Sequence, residues 1–121
     1  MDAAVAAGVG RYVMVSFSGA TSDALVPEDN PFRHYQDAKI AADEHLRGTE
    51  LAWTVLGPGT LTLEPGNGSV NPAAAFNDGD RTSRELVAQV ALAVLADDRA
   101  ARRTLVFGDG DVPIDEWLAA L

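Results

Sequence analysis

Tyr35 and Lys39 stand four residues apart. On a helix that spacing places both side chains on one face, about one turn apart. An ammonium beside a phenol favours the phenolate, which is the chemistry of a tyrosine acid or base. Lys39 is the only lysine of the chain, against eight arginines, so its place behind a tyrosine carries weight. The plain alternative is an aromatic at a helix start and a solvated lysine. Two serines precede the pair in Val13-Met14-Val15-Ser16-Phe17-Ser18-Gly19-Ala20. Either Ser16 or Ser18, at the carboxyl end of a strand, could hydrogen-bond a substrate oxygen, because open α/β sheets bind ligands there. Farther on, Leu56-Gly57-Pro58-Gly59-Thr60 offers small residues that let a flat ligand approach the backbone. Strand-end serines and ordinary Pro-Gly turn chemistry are the competing readings.

These groups need elements to hold them. Asp2–Ala7 is Ala-rich and helix-prone, with Gly8 where a left-handed C-terminal residue belongs. Arg11–Phe17 is a nearly continuous apolar run, the pattern of a strand covered on both faces. Ser18–Arg33, with Gly19, Pro27 and Pro31, reads as a loop, and His34–Leu46 as a helix closed by Gly48. A second buried strand spans Leu51–Leu56 and ends at Gly57-Pro58-Gly59. Thr60–Asp80 is rich in Gly, Pro and Asn, with room for a short strand at Gly68–Val70. Thr82-Ser83-Arg84-Glu85 offers a capping box, with Thr82 as the cap, before a helix apolar around much of its circumference. Arg103–Phe107 is the third strand, and Pro113 opens a terminal helix to Leu121. Alternating helices and strands predict an α/β fold with about three main parallel strands and flanking helices, in one domain over 1–121.

Composition bounds the function. Nine basic against eighteen acidic residues give a net charge of -9, which speaks against nucleic acid or an anionic membrane as partner. Cysteine is absent, which excludes disulfides, thiolate nucleophiles and Cys-based zinc sites. Hydrophobic residues reach 47%, but 21 are alanines, so the core is expected to be thin. No apolar run approaches a membrane span and no signal-like start is present, so a soluble, cytoplasmic protein is expected. Asp78-Gly79-Asp80 and Asp109-Gly110-Asp111 lack the rest of a calcium loop and read as turns. His34 and His45 lie eleven residues apart on their helix, so no metal site is expected, although His34 adjoins Tyr35.

Tyr35-x-x-x-Lys39, the upstream strand with Ser18, and Pro58-Gly59 occur together and in order. The chain thereby resembles the short-chain dehydrogenase/reductase superfamily, and within it the atypical NmrA-like and flavin-reductase-like NAD(P)H-binding proteins of bacteria. The opening Asp2–Ser16, the stretch Ala41-Ala42-Asp43-Glu44-His45-Leu46 and the tail Phe107–Ile114 are similar to theirs. The resemblance implies an oxidoreductase in which Tyr35 donates a proton to a carbonyl. Lys39 would assist Tyr35 and hydrogen-bond the nicotinamide ribose, and Ser18 would orient the carbonyl, with Ser16 the less favoured serine. Pro58, Gly59 and Thr60 would border the nicotinamide of NAD(P). Two departures stand out: Phe17 interrupts the serine cluster, and Gly57 occupies a position where many relatives carry arginine.

A third departure is larger. The family holds its dinucleotide with a strand–Gly-rich turn–helix unit, and none occurs here: Gly8-Val9-Gly10 precedes a strand, and Gly108-Asp109-Gly110-Asp111 is acidic. The expected fold is therefore the C-terminal half of a Rossmann-like doubly wound sheet without its N-terminal half. The isolated chain is expected to bind dinucleotide poorly or not at all. The strand at Tyr12–Ser16 would lack a partner on one side, an edge that proteins seldom leave bare. A second copy, another chain or the terminal helix is expected to cover it. Two functions stay open: an NAD(P)-dependent reductase acting on a small molecule, or a non-catalytic interaction or regulatory module that has lost the nucleotide.

Overall fold

The computed structural model describes residues 1–21, 24–72 and 81–121. Its elements run α1 (Asp2–Ala7), β1 (Arg11–Val15), α2 (Phe32–Arg47), β2 (Ala52–Pro58), β3 (Thr60–Thr62), β4 (Ser69–Asn71), β5 (Arg81–Ser83), α3 (Arg84–Leu95), a 3-10 turn (Asp98–Ala100), β6 (Arg103–Asp109), β7 (Val112–Pro113) and α4 (Ile114–Ala119). A five-stranded sheet has the order β1-β2-β6-β4-β7. The three long strands β1, β2 and β6 are parallel, as expected, while β4 pairs antiparallel with both β6 and β7. A separate parallel pair joins β3, in the segment read as loop, to β5, where the cap of a helix was expected.

Alternation along the strands sorts the core into two layers, since successive side chains point to opposite faces. Trp53 and Val55 of β2 meet Tyr12 and Met14 of β1 and Leu46 of α2 on one face. Leu56 of β2 and Leu105 and Phe107 of β6 meet Leu86, Val90 and Val94 of α3 and Trp117 and Leu118 of α4 on the other. Helices thus cover both faces, the doubly wound arrangement. Gly8 ends α1 in the left-handed conformation, with φ 68°.

Several sequence expectations are corrected. The cap of α3 is Ser83, whose Oγ accepts from the Leu86 N–H at 3.0 Å. Thr82 sits in β5, where its hydroxyl donates to the Phe107 carbonyl and accepts from the Gly59 N–H. A buried hydroxyl between two strands is better satisfied there than at a helix end. On α3, Leu92 is 73% exposed and Leu95 is exposed as well, so this helix buries one stripe and not most of its girth. Strand β1 is only half-buried and Val15 is 42% exposed, because the strand has a partner on one side alone among the described residues. The terminal helix does not cover that edge: α4 packs on α3, β4 and β7, toward the far side of the sheet. Strand β2 runs through Gly57 to Pro58, paired with Phe107, where a strand end was expected. Pro113 precedes α4 instead of opening it. Asp78-Gly79-Asp80 lies outside the described residues.

Candidate functional site

The carboxyl ends of β1 and β2 and the start of α2 enclose a cavity of about 290 Å³. Ser16, Phe17, Phe32, Tyr35, Pro58, Gly59, Thr60 and Leu61 line it. Parallel pairing explains the convergence: β1 and β2 run the same way, so both strand ends open on one side of the sheet. Three rings form its aromatic wall. Phe17 and Phe32 meet edge-on with centroids 5.7 Å apart, and Tyr35 lies 5.3 Å from Phe17 and 5.4 Å from Phe32. Such spacings are the favoured range for aromatic pairs.

Of the residues singled out in the sequence, Tyr35, Pro58, Gly59 and Thr60 line the cavity. The Tyr35 side is accessible, with 49% of the residue exposed. Lys39 sits one turn on. Its Nζ donates to the Val15 carbonyl at 3.3 Å and lies over the Tyr35 ring, 5.8 Å from the centroid. The helical spacing therefore does bring the two together, with the ammonium above the ring. The serines are divided differently from expectation. Ser16 is the one in the wall. Ser18 is buried, its N–H donates to the Pro58 carbonyl at 2.8 Å, and its hydroxyl has no hydrogen-bond partner among the described residues. His34 is exposed and not among the described lining residues, and His45 pairs instead with Asp2 of α1 at 2.8 Å.

Five contributors escaped the sequence reading, one of them Leu61 in the lining. Phe17 and Phe32 form the wall, although Phe17 looked like an interruption between two serines. Gln36 is fully buried on α2; its Nε2 donates to the Gly19 and Ala24 carbonyls and its Oε1 accepts from the Val26 N–H. It ties the strand-end loop onto the helix. Asp43 is buried behind the wall, and its Oδ2 accepts from the Ser16 hydroxyl at 2.8 Å. Its other oxygen has no partner among the described residues. Burial pushes the Asp43 carboxyl above the usual range, while the Ser16 hydrogen bond, Arg47 and Lys39 act in the opposite direction. The available signal was the run Tyr35, Lys39, Asp43 at steps of four, which continues one helix face for two turns.

Among the described residues no three His, Asp or Glu side chains cluster as metal ligands, and no helix is long and apolar enough to cross a membrane.

The chain has recognisable relatives. A family described as NAD(P)H-binding matches residues 1–98. A Bacillus subtilis (strain 168) protein, named an uncharacterized sugar epimerase, is 35% identical over 126 residues; the match covers all of this chain and 55% of that protein. A provisionally named NAD-dependent epimerase/dehydratase from Bacillus halodurans superposes with a TM-score of 0.88 at 29% identity, over 99% of this chain and 56% of the other. A short-chain dehydrogenase/reductase from Veillonella parvula, solved in complex with NADP, shares the fold with a TM-score of 0.70 at 24% identity, over 92% and 56% of the two chains. The chain spans about half the length of these relatives.

Proposed function

The chain belongs to the NAD(P)H-binding family, and from that premise we propose that its cavity is the nicotinamide and substrate end of an NAD(P)-dependent oxidoreductase site of the atypical short-chain dehydrogenase/reductase type. The observation that carries the reading is Tyr35 in the cavity wall with Lys39 directly behind it. The lining fits a nicotinamide: an aromatic wall of Phe17, Phe32 and Tyr35 faces small backbone-rich positions at Pro58, Gly59 and Thr60. When bound, NAD(P)H would supply a hydride. Tyr35, exposed at the cavity, gives a proton to the substrate oxygen, and Lys39 lies within reach of both the phenol ring and a ribose hydroxyl beside it. Phe17, Phe32 and Leu61 exclude water from the reacting end. Ser16 is the hydroxyl that would meet a substrate polar group; Ser18 is a second, buried hydroxyl without a partner among the described residues. The substrate is a small molecule.

A second reading is a non-catalytic module that keeps the fold without the nucleotide. The sequence feature in its favour is the lack of a Gly-rich strand–turn–helix unit to hold pyrophosphate. Titration of NADPH and NADH, followed by nicotinamide fluorescence, separates the two. Without a phosphate cradle the dissociation constant is expected in the millimolar range. Saturable binding that Lys39→Ala weakens tenfold or more supports the oxidoreductase reading. No saturation at cofactor concentrations well above that value moves the assignment to the module. We also propose that the free edge of β1 pairs with a second copy or another chain.

A further inference from the structure

Asp43 is a buried carboxyl to which the proposed reaction assigns nothing. Only 1% of the residue is exposed, and Ser16, its hydrogen-bond donor, is buried except where it faces the cavity. The Ser16 backbone is fixed as well, its N–H donating to the Leu56 carbonyl at 2.7 Å. A serine hydroxyl has one proton and two lone pairs. An ionised carboxylate can only accept, so the 2.8 Å contact commits the single Ser16 proton to Asp43. What remains for the cavity is the acceptor side of Ser16.

We infer that Asp43 is a positioning residue that fixes the direction of the Ser16 hydrogen bond, so that Ser16 accepts from, and does not donate to, the molecule in the cavity. This deepens the proposed function and rests on its placing of the ligand in this cavity, though not on dinucleotide binding. The chemical consequence is a preference for a group carrying a proton, an alcohol O–H or an amide N–H, over a bare carbonyl at the Ser16 position. The carbonyl of a substrate is then met by Tyr35, whose hydroxyl can donate as well as accept and so does not itself discriminate. The rings of Phe17, Phe32 and Tyr35 provide the face against which an aromatic ligand can stack.

Asp43→Asn reverses the arrangement without emptying the site. Oδ1 of Asp43 has no partner among the described residues, so an asparagine that turned its amide nitrogen to that position would bury an unsatisfied donor. The favoured orientation points the nitrogen at Ser16, donates to its oxygen and releases the Ser16 proton toward the cavity.

The test uses a matched pair of probes, 1-phenylethanol and acetophenone, which share a ring and differ in whether the oxygen carries a proton. Their dissociation constants are measured on the full chain at about pH 8, well above the ordinary carboxylate range, by following the backbone amide resonances of Ser16, Phe17, Gly59 and Thr60. The wild type is expected to prefer the alcohol several-fold, the increment of one hydrogen bond. Asp43→Asn is expected to prefer the ketone, and Ser16→Ala to bind both alike. A merely structural Asp43 would weaken both probes together. An unchanged alcohol preference in Asp43→Asn or in Ser16→Ala overturns the inference, as does the absence of any shift at the cavity amides with either probe at its solubility limit. Because no cofactor is added, the outcome stands apart from the NADPH titration.

Discussion

A carboxyl group that gives up water without a cationic partner in contact leaves a signature in the dependence of stability on pH. Asp43 is raised above its ordinary value of 3.8, first by burial, with Ser16, Arg47 and Lys39 opposing. Between 3.8 and the raised value the folded chain binds more protons at this site than the unfolded chain does. Stability contributed by this group is therefore full below 3.8 and is lost as pH rises through the folded value. Asp43→Asn removes the titration. The difference in urea midpoint between variant and wild type should shift in favour of the variant as pH rises from about 4 toward neutrality. Parallel midpoint curves for the two proteins would contradict a buried, titrating carboxyl. At this scale Tyr35 and Lys39 were legible because a spacing of four needs only a helix to become a contact. Asp43 continued the same spacing but was not, since a carboxylate on an amphipathic helix is ordinarily solvated. It is buried against Ser16, just past the end of β1 and 27 positions away in sequence, and spacing along one helix carries no such information.

Elements are held to one another by a few polar side chains that periodicity does not mark. Gln36 sits on the inner face of α2 with three hydrogen bonds to backbone groups of Gly19, Ala24 and Val26. Gln36→Ala leaves those groups without their partner, and a loss of about 1–3 kcal/mol is expected. The loss should appear as a lower denaturant midpoint and as new exchange at the Val26 amide; an unchanged midpoint would show that water replaces the side chain. The turn from β6 to β7 gives a second case. A Cβ on Gly110 would run into the backbone of Val70 and Asn71 in β4. Gly110→Ala must therefore spread three strands, and overpacking of this kind costs about 1–3 kcal/mol. Thermal unfolding measures it, and an unaltered midpoint would mean that the turn yields. The long strands and helices were readable because each carries an apolar face of its own period. The short strands β3, β5 and β7 were not, because two or three residues show no period. Thr82 was misread for the same reason: the capping pattern fits the local sequence, but the Phe107 carbonyl and the Gly59 N–H, both distant in sequence, claim its hydroxyl.

For the whole molecule the decisive feature is the edge at β1. Ser16 donates its N–H to Leu56 on the β2 side, and alternation then turns the N–H and C=O of Val15, and those of Val13, away from the sheet. Lys39 reaches the outward Val15 carbonyl, and a lysine at a strand edge is one device that discourages unwanted pairing. It satisfies an acceptor only; the outward N–H groups gain nothing from an ammonium. Next to them Val15 is 42% exposed and Val9 is also exposed, so apolar surface continues past the edge. An edge that is apolar and short of acceptors favours pairing with a strand, and the net charge of -9 opposes it by self-repulsion between like copies. The balance predicts salt-dependent association. Sedimentation of the 12.7 kDa chain should show a larger species that grows as ionic strength rises and charge is screened. Hydrogen exchange should show the Val13 and Val15 amides protected in that species and not on dilution. Monomer at every salt concentration, with those two amides exchanging freely, would mean that this chain does not cover its own edge. In that event a different chain becomes the partner to seek.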